Sequence, residues 1–263
     1  MSTARATFHA DGFLPEAMAL ARPEAATAAL DDTPLFDAEL ARHAQAGRRQ
    51  VPYMLTDAIR RLALDSAVTA VAQDLLQTDR WVMWGANIRR SVPNEAQLWH
   101  ADLESVLWPS ITVAIGLSGC QSEGATCFIP GSQAIGRGPA TLLRDCADTQ
   151  SVVQRAQQHA PACAAPRSVA GFGDGRFYVF NGRCWHRANE LGAAGKVVLY
   201  LHYQAADDKR IPLMLDYARH LWSRQACPYM VSPGAGAVRE AVYAPPLRHR
   251  LKSWFAGRGA SDR

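Results

Sequence analysis

The sequence predicts an α+β chain, mainly β, with helices in front and a sandwich or small barrel of strands behind. Two observations carry this reading. Early in the chain, apolar residues recur at three- and four-residue spacing; from Trp81 onward they come in short, β-rich runs separated by Gly, Pro or Asn. A third observation concerns organisation. The 263 residues contain no internal repeat and no low-complexity linker, which fits one domain, since barrels of this length routinely fold as single units.

In chain order, "PLFDAELARHAQ" and "LTDAIRRLALDSAVTAVAQDLL" read as helices, with Asp and Thr suited to capping. The segments "WVMWGANIRR", "LWPSITVAIGL", "ATCFIP", "RFYVFNG" and "KVVLYLHYQ" read as strands. Residues 139–165, rich in Ala, Gln and Arg, interrupt them as a helix or mobile excursion on a rim. "IPLMLDYARHLW" reads as a helix after the last clear strand. The expected domain, 1–263, therefore has a helical front over 1–78, strands over 80–205, and a helix with a basic tail over 206–263.

Composition narrows the function classes. Hydrophobic residues make up 48% and charged residues 20%, as in ordinary soluble globular proteins. A net charge of +4 gives little support to nucleic-acid binding, and the basic end "LRHRLKSWFAGRGASDR" reads as a solvated tail. Residues 1–25 lack the pattern of a secretory signal, and no apolar run approaches the ~18 residues of a membrane helix. The six cysteines are scattered without a CxxC pair, as expected of reduced thiols in the cytoplasm. The expected partner is a small-molecule substrate, not nucleic acid or membrane, with monomer and homodimer both open.

The tripeptide His-Ala-Asp occurs twice, at His9–Asp11 and at His100–Asp102. On a strand, positions i and i+2 share a face, so a His and a carboxylate at that spacing can hold one metal ion. His100 and Asp102 lead into the strong strand "SITVAIGL"; His9 and Asp11 precede Gly12 in a terminal segment that feeds helices. The second copy shows that the tripeptide arises by chance, so a third ligand is needed. His186, just after an apolar strand and a turn, is one candidate, and His202 is another. Two His and one carboxylate leave three positions open on octahedral Fe(II), room for a 2-oxo acid and dioxygen. Cys184 shares the face of His186 in an extended segment, which keeps a zinc site open.

A string of motifs in order resembles the phytanoyl-CoA dioxygenase family of Fe(II)/2-oxoglutarate oxygenases. "FHADGFLP" resembles its opening, "LWHAD" its proximal His-x-Asp, and "EGATCFIPGSQAIG" its segment ending in Pro-Gly-Ser-His, with Gln133 in the last place. "GFGDGRFYVFNGRCWH" resembles the strand and turn leading to the distal His, and the likeness spans residues 8–205. The resemblance implies a double-stranded β-helix, a jelly-roll barrel with N-terminal helices on one side. It implies His100, Asp102 and His186 as catalytic iron ligands, with Fe(II), 2-oxoglutarate and O2 as cofactor and co-substrates. The family's Arg for the distal carboxylate of 2-oxoglutarate falls on Lys196, a point charge instead of a fork. Asn87, on the strand before His100, falls on a family position that hydrogen-bonds the 2-oxo acid. An Asp at the carboxylate position argues for hydroxylation, or for desaturation or ring formation through the same radical, since halogenases of this superfamily have a small residue there. Two further classes stay open: an isomerase or zinc hydrolase on the same barrel, and a barrel that binds a ligand without turnover.

Overall fold

The computed structural model describes residues 2–31, 56–90, 98–102, 110–121, 126–188, 195–209, 211–213, 215–216 and 227–243. The expected helix over residues 34–45, most of the expected helix after residue 210 and the basic tail lie outside them. What is described is α+β: N-terminal helices and two sheets whose named strands all pair antiparallel.

The helices begin with α1 (Thr3–Asp11), whose N-cap Ser2 accepts from the Arg5 amide and whose C-cap Gly12 takes φ 84°, a left-handed conformation that suits glycine. The two orphan carbonyls of His9 and Ala10 accept from Gln133 Nε2 at 2.9 and 3.1 Å. After α2 (Glu24–Leu30), the single helical stretch expected over 55–76 is in fact two helices, α3 (Asp57–Ala63) and α4 (Ser66–Leu76). The break falls at Asp65, which is fully buried. Its carboxylate caps α4 at the Ala67 amide and also accepts from the distant amides of Ala21 and Arg22. Those partners are worth more to a buried carboxylate than one more helical turn.

Seven strands form the larger sheet: β1 (Met18–Ala19), β2 (Trp81–Arg90), β3 (Ile111–Ser118), β6 (Arg176–Asn181), β8 (Val197–Ala205), β9 (Cys227–Val231) and β10 (Arg239–Tyr243), in the order β1-β6-β3-β8-β2-β9-β10. The smaller sheet is β5 (Arg167–Ser168), β4 (Thr126–Phe128) and β7 (His186–Ala188), in that order. Alternation divides the large sheet into two faces. Ala86 and Ile88, Ile111 to Leu117 at odd positions, Phe177 and Val179, and Val197 to Tyr203 at odd positions pack against the helices in one core. The opposite face offers Ala114, Tyr178, Phe180 and Val198 to Phe13 and Phe128 in a second core. Phe13 stacks on Phe128 with centroids 4.6 Å apart, which ties the N-terminal segment and the small sheet together. The excursion over 139–165 contains α5 (Pro139–Leu142) and α6 (Thr149–His159), and packs with Ile129, Trp99 and Trp185.

Candidate metal centre

The seam between the sheets holds the site. His100 and His186 form an antiparallel bridge and exchange both amides, at 2.9 Å (His100 N–H to His186 O) and 2.8 Å (the reverse). Two residues on, the Asp102 amide donates to Gly182 O at 2.8 Å, and the Gly182 amide donates to Ser110 O at 3.1 Å. The His-x-Asp segment is thus zipped to the turn and strand that carry His186. Its period-two alternation aims His100 and Asp102 the same way. Glycine suits position 182, since a Cβ there would lie 2.8 Å from Ser110 Oγ and 3.5 Å from the Asp102 side chain.

Each imidazole is oriented from behind. Nδ1 of His100 bonds the Leu98 carbonyl at 2.9 Å and Nδ1 of His186 bonds the Cys184 carbonyl at 2.8 Å, so each ring is anchored through Nδ1 and turns Nε2 away from that anchor. His186 Nε2 lies 3.3 Å from Asp102 Oδ1, and one ligand atom from each of His100, Asp102 and His186 falls within 4.8 Å of the others. Burial, helped by the neighbouring His186, pushes His100 down to about 4. Burial acts to raise Asp102, but the neighbouring imidazoles, His186 first and then His202 and His100, outweigh it and hold the carboxyl below the usual carboxylate range. At neutral pH the His100 ring is therefore neutral and Asp102 ionised, the forms that bind metal without releasing a proton.

The cleft in front of these groups is lined by Asn87, Arg89, Thr126, Tyr200 and His202 as well. The register explains the set. Gly85 faces His202, Asn87 faces Tyr200 and Arg89 faces Val198 across β2 and β8, while Thr112 and Ala114 of β3 face His202 and Tyr200. All lie on the sheet face turned from the helices. Thr112 Oγ1 donates to Asp102 Oδ2 at 2.8 Å and lies 3.1 Å from His202 Nδ1. The His202 ring stacks on Trp84, 4.9 Å between centroids. Tyr178 and Thr126 share a 2.5 Å hydroxyl contact deeper in. On the His186 side, Phe180 and Phe128 stand 4.8 and 5.6 Å from the ring and make an apolar wall.

Of the residues singled out from the sequence, His100, Asp102, His186 and Asn87 come together at this cleft, with His202 lining it too and linked to Asp102 through Thr112. Lys196 does not border it: buried at the start of β8, it sits beside the turn at Gly119 and Cys120. Among the described residues, the cation bordering the cleft is Arg89. Cys184 also faces elsewhere, with its thiol toward Ser132 and the carbonyls of Asp11 and Ile129, and burial pushes it up to about 12. It offers no thiolate to a metal. The other tripeptide is spent on structure, its Asp11 paired with Arg167 at 2.5 Å. Arg89, Tyr200 and Thr112 escaped the sequence reading. Alternation carried a signal for two of them, since Arg89 lies two positions from Asn87 on β2 and Tyr200 two from His202 on β8, whereas Thr112 is a lone threonine in the run Ile111–Leu117.

Comparison with known proteins agrees with this geometry. A family model described as phytanoyl-CoA dioxygenase (PhyH) matches residues 9–193. No curated protein matches the sequence. Among solved structures, the fold is similar to a non-heme monooxygenase, ThoJ, in complex with Ni, at a TM-score of 0.55 and 18% identity over 96% of this chain and 94% of that one. It is also similar to iron-bound EctD from S. alaskensis, TM-score 0.56, 19% identity, 78% and 77% covered. The non-heme alpha ketoglutarate dependent epimerase SnoN from nogalamycin biosynthesis gives 0.51 and 14%, with 89% and 86% covered.

Proposed function

Because the chain belongs to the phytanoyl-CoA dioxygenase family, we propose that it is an Fe(II)- and 2-oxoglutarate-dependent oxygenase that hydroxylates an unactivated C–H bond of a small molecule. The observation that carries the reading is the convergence of His100, Asp102 and His186 from separate parts of the chain, with ligand atoms within 4.8 Å of one another. The donor set fits the ion: two imidazoles and one carboxylate suit Fe(II), and with each Nδ1 engaged by a backbone carbonyl it is Nε2 that each ring can offer. The same reading takes the chain as one domain whose two sheets form a double-stranded β-helix, acting in the cytoplasm on a free metabolite.

In this reading His100, Asp102 and His186 hold the metal on one side and leave the opposite side to ligands. The chemistry supplied there by iron, 2-oxoglutarate and dioxygen is decarboxylation of the co-substrate to succinate and CO2, coupled to oxidation of a C–H bond. The chain contributes placement and dryness. Asn87, which lines the cleft, would donate its amide to the 2-oxo acid, and Phe128 and Phe180 would keep water from the His186 side. Asp102 fills the position that a halogenase leaves small, which supports hydroxylation. For the co-substrate's far carboxylate there are two cations. Arg89 borders the cleft beside Asn87 and offers a bidentate fork, whereas Lys196 follows from the family position. We assign the contact to Arg89.

Anaerobic addition of Fe(II) and 2-oxoglutarate is expected to give the visible charge-transfer band of a chelated 2-oxo acid, and His186→Ala to abolish it. Wild-type protein that stays colourless at millimolar co-substrate overturns the proposal. A band without succinate formation on any tested substrate leaves the binding-only alternative in force.

A further inference from the structure

We propose that Thr112, backed by His202, is a positioning residue that confines Asp102 to a single ligating oxygen; this rests on the oxygenase reading above. A hydroxyl has one proton and two lone pairs. An ionised carboxylate can only accept, so the Thr112 proton lies along the 2.8 Å contact to Asp102 Oδ2. The 3.1 Å contact between Thr112 Oγ1 and His202 Nδ1 must then be donated by the imidazole, which fixes His202 with its proton on Nδ1. The hydroxyl cannot turn away without stranding that donor in a buried place.

The ring of His202 is itself held. Trp84 stacks on it with planes 21° apart, and a Cβ at residue 85 would come within 3.1 Å of its Cδ2, so Gly85 is the space the ring occupies. Cross-strand register sets the line-up, since Gly85, His202 and Thr112 occupy one rung of β2, β8 and β3. Asp102 is thus gripped at both ends: its amide by Gly182 O and its Oδ2 by Thr112, while Oδ1 faces His186 Nε2 at 3.3 Å.

The consequence is about denticity. A carboxylate with both oxygens free can chelate a metal and take two positions, leaving two for the co-substrate and oxygen instead of three. A carboxylate with one oxygen engaged by a strong donor binds through the other. Thr112 would therefore protect the position that a bidentate 2-oxo acid needs.

The test uses wild type, Thr112→Val, Thr112→Ser and His202→Phe. Fe(II) affinity and 2-oxoglutarate affinity are titrated anaerobically, with the charge-transfer band as the spectroscopic readout. Thr112→Val keeps the shape and loses the donor; it is expected to weaken 2-oxoglutarate binding tenfold or more and shift the band, with Fe(II) affinity within threefold of wild type. Thr112→Ser restores the donor and is expected to bind 2-oxoglutarate within threefold of wild type. His202→Phe keeps the stack on Trp84 and removes the backing, with an intermediate loss. Wild-type affinity and an unshifted band in Thr112→Val overturn the assignment, as does Thr112→Ser behaving like Thr112→Val, because packing alone then explains the loss. Wild-type protein that binds Fe(II) but no 2-oxoglutarate overturns the oxygenase reading and this inference with it.

Discussion

At the scale of single residues, the least conspicuous position in the centre is Gly182. A methyl group there would press on Ser110 Oγ at 2.8 Å and crowd Asp102. Overpacking of this kind costs about 1–3 kcal/mol. Gly182→Ala is expected to lower the urea midpoint accordingly and to weaken Fe(II) binding by displacing Asp102. The Ser110 hydroxyl is buried without a hydrogen-bond partner among the described residues. Ser110→Ala should therefore be nearly neutral by itself, and the double variant Ser110→Ala/Gly182→Ala should recover most of both losses. A double variant no better than Gly182→Ala would place the damage in the backbone. Residue identity made His100, Asp102 and His186 legible, because few side chains bind metals and their order along the chain is distinctive. It did not make Thr112 legible, because a threonine in a strand is commonplace until its neighbours across the sheet are known.

Elements explain the rest of that difference. Strands β2, β3, β6 and β8 were readable from composition and alternation, and with them which residues share a face. What the sequence withheld was register, which depends on pairs far apart in the chain. Register is what puts Arg89 opposite Val198, one rung beyond Asn87 and Tyr200. Successive rungs on one face lie about 7 Å apart, and Lys196 falls a further rung beyond Val198 in the same alternation. A carboxylate reaching from a metal held by His100, Asp102 and His186 would thus meet the Arg89 side first. Arg89→Met is expected to weaken 2-oxoglutarate at least thirtyfold while leaving 2-oxobutyrate, which lacks the far carboxylate, within threefold of wild type. Lys196→Met should change neither by more than threefold, and the reverse pattern would return the contact to Lys196. The helix break at Asp65 was hidden for a similar reason, since the amides of Ala21 and Arg22 that hold its carboxylate are remote in sequence. Strands β9 and β10 were not anticipated at all; both are five residues long, and Pro228 disguises the first.

For the molecule as a whole, the centre is also a fastener. The His100–His186 bridge belongs with the small sheet, where His186 pairs with Phe128, while Asp102 is held by Thr112 of the large one. An ion bound by all three spans the seam. Binding at a hundred times Kd stabilises the native state by about 2.7 kcal/mol. For a chain of this size that is a rise of roughly 5–10 °C in Tm. Anaerobic Fe(II), or Mn(II) as a redox-silent substitute, is expected to raise Tm by that amount, and chelator to reverse it. His186→Ala should show no metal-dependent shift. An equal shift in His186→Ala would locate the ion elsewhere. Among the described residues, no helix is long and apolar enough to cross a membrane.

The mutual amide exchange of His100 and His186 makes the centre an all-or-none object. Sliding either segment by one position would send its imidazole to the far side of the sheet, so no gradual misalignment of the two rings is available. The geometry that brings the three candidate ligands together is set by pairing across the seam and not by the length of chain joining the partners. Insertions between them can accumulate without retuning the ion, whereas a single deletion inside Trp99–Asp102 would erase it outright.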